Sequence, residues 1–192
     1  MYELPTSVDI GGVEYSIRND GDYRTILDIF TILEDTEIEK SERIMTALIV
    51  FYEDVNTVED ISHIPDMEEA VIKMYDFFSA GRKEGKSTNY KLIDWKEDSA
   101  IIVSAMNDVV GREIRTENYM HWWTFISYYM AIGESTLSTV VSIRDKMMRG
   151  EPLEKWEKKY RSNNPQYFKW NSQTVEQKEA EDWVLQQWNR GA

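Results

Sequence analysis

The chain has 192 residues, 22 basic against 35 acidic for a net charge of −13, and no cysteine, which excludes a disulfide framework, a thiolate metal site and a thiol nucleophile. That acidity argues against nucleic acid or an anionic lipid surface as a main partner, while the length suffices for one domain or two small lobes. No apolar run approaches the roughly 20 residues that span a bilayer, and the first residues lack the basic patch and apolar core of a signal peptide, so a soluble intracellular protein is expected.

The chain opens on a predicted β-hairpin, with Val8, Ile10, Val13, Tyr15 and Ile17 set around Gly11-Gly12. From Asp20 the pattern turns helical: Tyr23, Ile26, Leu27, Phe30 and Leu33 recur at spacings of three and four. Thr36 with Glu39 reads as a capping box opening a helix with Ile44, Leu48, Phe51 and Val55 on one stripe. Pro65, Asp66 and Glu69 mark a third start, with Met67, Ala70, Val71, Met74, Phe77 and Phe78 on the helix that Gly81 ends.

The polar, basic stretch that follows, Arg82 to Asn89, reads as an exposed linker between two lobes. Asp94 with Glu97 predicts a second capping box, before a helix bearing Ile102, Ala105, Met106, Val109 and Val110 that stops at Gly111. Thr116 is expected to cap the most apolar helix, Tyr119 to Ile132, whose apolar residues lie on two sides and predict a central position. Leu137, Val140, Val141, Arg144 and Met148 line the next helix, and Leu153 to Arg161 forms a short, strongly charged one. After the Asn163-Asn164-Pro165 turn, Ser172 or Thr174 is expected to cap a last helix reaching about Asn189. The fold expectation is mainly α: a bundle of seven to eight helices with a small N-terminal β-hairpin. Its divisions are an N-terminal lobe over 1–80, a basic linker over 81–93, a C-terminal lobe over 94–161 and a tail over 162–192.

Catalysis needs a nucleophile, an acid–base pair or a held metal, and the inventory is poor. Neither a G-x-S-x-G serine nor a glycine-rich phosphate loop occurs, and only two histidines, His63 and His121, are present. His121 lies four residues after Glu117, a spacing that could bind a metal on one helix face, but the second Glu-x-x-His pair of a di-metal bundle is missing. Glu53, Asp54, Glu59 and Asp60 cluster without the spacing of an EF-hand and read as a solvated loop. No cofactor, metal or catalytic residue is therefore expected. Tryptophan is more informative, since four of the seven, Trp156, Trp170, Trp183 and Trp188, fall in the last fifth of the chain. Ala180, Trp183, Val184 and Trp188 form an apolar strip among charged neighbours, the composition of an interface anchor. It could equally pack back on its own domain.

One stretch carries a family likeness. Asp94-Trp95-Lys96-Glu97-Asp98, Gly111, Thr116, Tyr119-Met120-His121-Trp122-Trp123-Thr124-Phe125, Ile143-Arg144 and Glu157-Lys158-Lys159-Tyr160 follow in order. They resemble the "gene product fifteen" family of siphophages and prophages of Gram-positive bacteria. The most distinctive element is His-Trp-Trp-x-Phe, here His121, Trp122, Trp123 and Phe125. The likeness runs over the C-terminal half and extends to the N-terminal hairpin and helices, but not to the last 25 or so residues. The resemblance implies a tail-assembly factor of the host cytoplasm, absent from the mature virion. Its implied main partner is the phage tape-measure protein, with the tail-tube subunit and further copies of itself as secondary candidates. It supplies no catalytic residue, and the apolar context of its motif points to core architecture. A minor structural part of the tail or neck, or a metal-dependent enzyme using Glu117 and His121, are the alternative readings.

Overall fold

The structure, a computed structural model, describes residues 3–82 and 90–169. Among these residues it is mainly helical, with eight α-helices and a two-stranded antiparallel hairpin at the N-terminus. The elements are β1 (Ser7–Ile10), β2 (Val13–Ser16), α1 (Tyr23–Glu34), α2 (Lys40–Phe51), α3 (Val58–Ile61), α4 (Met67–Ser79), α5 (Ser99–Val110), α6 (Trp122–Met130), α7 (Thr136–Met148) and α8 (Lys155–Asn163). No helix among the described residues is long and apolar enough to cross a membrane. The chain divides into two compact units, one of Met1–Gly85 with Thr116–Met130, the other of Lys86–Arg115 with Ala131–Ala192.

The first unit is built on the hairpin, α1, α2, α3, α4 and α6. Ile10 pairs with Val13 across a two-residue turn in which Gly11 and Gly12 have φ of +58° and +83°, the positive pair that a tight hairpin requires. Gly11 also donates its N–H to Glu69 of α4 at 2.9 Å, which fixes the marginal hairpin to a helix. Ile10 and Ile17 are buried, as are Ile26 and Ile29 of α1, Leu48 and Phe51 of α2, and Met74 and Phe77 of α4. Ile29 takes the buried place that the periodicity assigned to Leu27, which is only half-buried.

Three sequence expectations shift in this unit. α2 begins at Lys40 with Glu39 itself as the cap, accepting from the Ser41 N–H, so the Thr36–Glu39 box does not form as read. α2 also stops at Phe51, four residues short of Val55: Tyr52 turns extended at φ −92° and ψ 124°, and the Arg18 guanidinium donates to the carbonyls of Ile49, Tyr52 and Val55 at 3.1, 2.9 and 3.1 Å, satisfying carbonyls that the ended helix leaves open. The acidic stretch thought to be a solvated loop contains α3, where Thr57 and Asp60 form a reciprocal capping box. Asp54 of the same stretch accepts from the Ser16 N–H at 3.0 Å.

The second unit contains α5, α7, α8 and a short 3-10 turn, Pro165–Phe168. Ile101, Ile102, Ala105 and Met106 of α5, with Leu137, Val140 and Ile143 of α7, are buried. Gly111, at φ +76°, stops α5 as its sequence position implied. Asp94 caps the turn ahead of α5, accepting from Lys96 and Glu97, whereas Asp98, at the helix start, turns its carboxylate inward. That carboxylate meets Arg144 of α7 in a two-pronged pair, with Oδ2 to Nη1 at 2.6 Å and Oδ1 to Nη2 at 2.9 Å. Arg144 further donates to the carbonyls of Leu92 and Tyr167, so one buried guanidinium joins three segments of the unit.

Candidate functional site

The His-Trp-Trp-x-Phe residues, His121, Trp122, Trp123 and Phe125, fall in the first unit, where α6 meets the start of α1 and the end of α4, whereas Asp94–Asp98, Gly111, Ile143-Arg144 and Glu157–Tyr160 fall in the second. α6 begins at Trp122, three residues later than expected, and Thr116 lies in a preceding 3-10 turn. The cap is His121: its Nδ1 accepts the Trp123 N–H at 3.0 Å, and its Nε2 lies 3.0 Å from the Pro5 carbonyl. The first contact requires a lone pair on Nδ1 and the second a proton on Nε2, so the ring is the neutral Nε2–H tautomer. Neither nitrogen then has a lone pair to offer a cation. Glu117 precedes α6, so it and His121 do not share a helix face. Among the described residues no three His, Asp or Glu side chains are grouped to hold a metal ion.

The two indoles act on the far end of α4. Trp122 donates Nε1–H to the Phe78 carbonyl at 3.0 Å and Trp123 donates to the Phe77 carbonyl at 2.9 Å. These are carbonyls of a last helical turn, which lack the regular donor four residues on, although the Phe77 carbonyl also accepts the Ala80 N–H at 3.0 Å. Each such bond contributes about 1 kcal/mol net, and much more is at stake when the carbonyl is buried and would otherwise be orphaned. The chain leaves α4 through Ala80 and Gly81, both left-handed at φ +52° and +70°. Trp122 is 1% exposed and stacks on Phe125, with ring centres 5.6 Å apart and planes at 18°. Phe125 in turn stacks on Tyr23 at 4.5 Å and 6°.

Asp22 ties the other side of the joint. Its carboxylate accepts the Arg24 N–H at 2.9 Å, capping α1, and the Met120 N–H at 3.0 Å. Arg24 pairs with the same carboxylate and donates to the Glu117 carbonyl at 2.6 Å. Gly21, at φ +73°, is required here because a Cβ would stand 2.6 Å from Phe77 Cζ and 3.2 Å from His121 Nε2. Asn19 and Asp20 precede it, also left-handed, and the Asp20 carbonyl accepts the Tyr119 hydroxyl proton at 2.9 Å. The sequence reading missed Asp22, Arg24 and Gly21. The one local signal was an aspartate directly before an apolar helical repeat, the ordinary mark of a cap.

Burial lowers the His121 pKa below the ordinary imidazole value of about 6.5, against the opposing pull of the Pro5 carbonyl and of Asp20. A depressed folded-state pKa means that the unfolded chain binds the proton more readily. The contribution to stability is then complete above about pH 6.5 and is lost as pH falls from there through the folded-state value. Between pH 7.5 and 5.5 the denaturant midpoint should fall for the native protein. It should fall less for His121→Asn, which keeps a capping oxygen but does not titrate.

The second unit presents a different surface. Lys158 and Arg161 of α8, with Ser162, Pro165, Phe168 and Lys169, line an open groove of about 530 Å³. Trp156 of the same helix is 53% exposed. Glu157 of α8 is buried and is held below the usual carboxylate range, chiefly by Lys146 at 2.6 Å and by the Glu154 N–H. The tail residues singled out as protein-binding, Trp170, Ala180, Trp183, Val184 and Trp188, lie outside the described residues.

The model of the family described as Bacteriophage Gp15 protein matches residues 1–168. The chain belongs to this family. No curated protein and no solved structure matches it. The Gp15 match takes in both the hairpin and the motif helix, and it ends before Trp170. The tail with its apolar strip is thus an extension beyond the Gp15 region, in agreement with the reach of the resemblance read from the sequence. Within the matched region the side-chain nitrogens of His121, Trp122 and Trp123 are each engaged by a backbone group of the first unit, and Phe125 packs in its core.

Proposed function

We propose that this Gp15 family member is a tail-assembly chaperone that binds the phage tape-measure protein in the host cytoplasm and assists tail-tube assembly without catalysing a reaction. Membership of the phage family over residues 1–168 is the observation that carries this reading. The geometry of the motif supports it, because the imidazole and both indole N–H groups satisfy backbone atoms and serve the fold instead of a substrate. A chaperone for a long helical client needs apolar anchors to cover exposed stripes and a charged exterior to keep the complex dissolved. The net charge of −13 supplies the exterior. The strip of Ala180, Trp183, Val184 and Trp188, with Trp170 ahead of it, supplies the anchors.

Co-expression with the tape-measure protein encoded by the same phage tests the proposal. The two polypeptides should purify together through a tag on either one, and recovery of each alone would refute the chaperone role.

A further inference from the structure

The groove between α8 and the Pro165–Phe168 turn is out of keeping with the rest of the molecule. In a chain of net charge −13, it gathers three exposed cations, Lys158, Arg161 and Lys169, around the half-buried ring of Phe168 and the face of Pro165. Among the described residues no carboxylate forms an ion pair with any of the three. The carboxylate on the helix of Lys158 and Arg161, Glu157, faces inward to Lys146. Like charges gathered in this way repel one another, and the repulsion is relieved when carboxylates enter the groove.

The chain itself delivers such carboxylates. Residue 169 lines the groove and the chain continues directly from it for a further 23 residues. Within that continuation, Glu176, Glu179, Glu181 and Asp182 place four carboxylates in seven residues, with Lys178 as the one cation among them. A tether of six residues between Lys169 and Glu176 can span up to about 20–25 Å when extended, enough to return along the groove. It also holds the acidic stretch at a local concentration on the order of millimolar. We propose that the groove is a docking site for the acidic segment Glu176–Asp182 of the same chain, which seats the tail on α8. The seating stands whatever the tail tryptophans bind.

Zero-length carbodiimide coupling of the full-length protein at low micromolar concentration, followed by peptide mapping, tests the docking. Lys158 should couple to Glu176, Glu179, Glu181 or Asp182 in the species of monomer mass. Its yield should be about fivefold above that of Lys159, which lies on the same helix but does not line the groove. Arg161→Glu keeps both groove lysines and should reduce the Lys158 yield to that of Lys159, as should salt near 1 M, where the screening length falls to about 3 Å. Equal coupling of Lys158 and Lys159 would overturn the proposal, since a tail without a seat samples both. Coupling found only in a species of twice the mass would also overturn it and assign the groove to a second copy.

Discussion

Replacing Asp98 by alanine is expected to lower the stability of the protein by about 3–5 kcal/mol, read as a shift in the denaturant midpoint. The Asp98 and Arg144 side chains are 2% and 5% exposed, so the carboxylate neutralises a guanidinium that water does not reach. Removing it leaves a buried cation without its carboxylate, and it also releases the Asp94 N–H that Oδ2 accepts at 2.9 Å. The paired change Asp98→Leu with Arg144→Met should recover a large part of the loss, because two well-packed apolar side chains need no charge compensation. The two single changes are therefore expected to be strongly non-additive in a double-mutant cycle. Additive losses would show that Asp98 and Arg144 do not stabilise the fold as a pair.

Trp122→Ala is the second large effect, at about 3–5 kcal/mol. The indole is 1% exposed and packs against Phe30 and Phe125, with ring centres at 5.4 and 5.6 Å, so its removal opens a cavity between α1 and α6. It also leaves the Phe78 carbonyl without the donor that ends α4. Trp123→Phe provides the contrast. It keeps an aromatic ring in a half-buried position and deletes one hydrogen bond to Phe77, an expected cost of about 1 kcal/mol. Similar losses for the two variants would mean that burial does not distinguish the paired tryptophans.

These two sites show where sequence reading succeeds and where it stops. The hairpin, the Asp66 cap of α4 and the Gly111 stop of α5 were legible because each is decided by a few adjacent residues. The start of α6 was not, because its cap depends on Pro5, 116 positions away, and on Asp22, 98 positions from Met120. Chain adjacency placed the motif helix in a C-terminal lobe over 94–161, yet Thr116–Met130 belongs to the first unit. Its indoles reach Phe77 and Phe78, and Phe125 stacks on Tyr23, partners that no local pattern names. α3 escaped notice because four residues hold too little periodicity to register. Arg144 was visible as a cation on an apolar stripe. That position demands a buried partner, but the sequence does not say that the partner is Asp98. The aromatic motif was legible as core, whereas its detailed work of closing one helix and opening another needed coordinates.

The proposed division of labour, a scaffold whose motif serves its own fold and a tail that binds the tape-measure protein, is tested most directly by co-purification of the Trp183→Ala/Trp188→Ala variant with that protein. The expected result is a clear loss of co-purification while the far-UV helical signal and the denaturant midpoint stay close to those of the native protein. Undiminished co-purification by a folded double variant would contradict it.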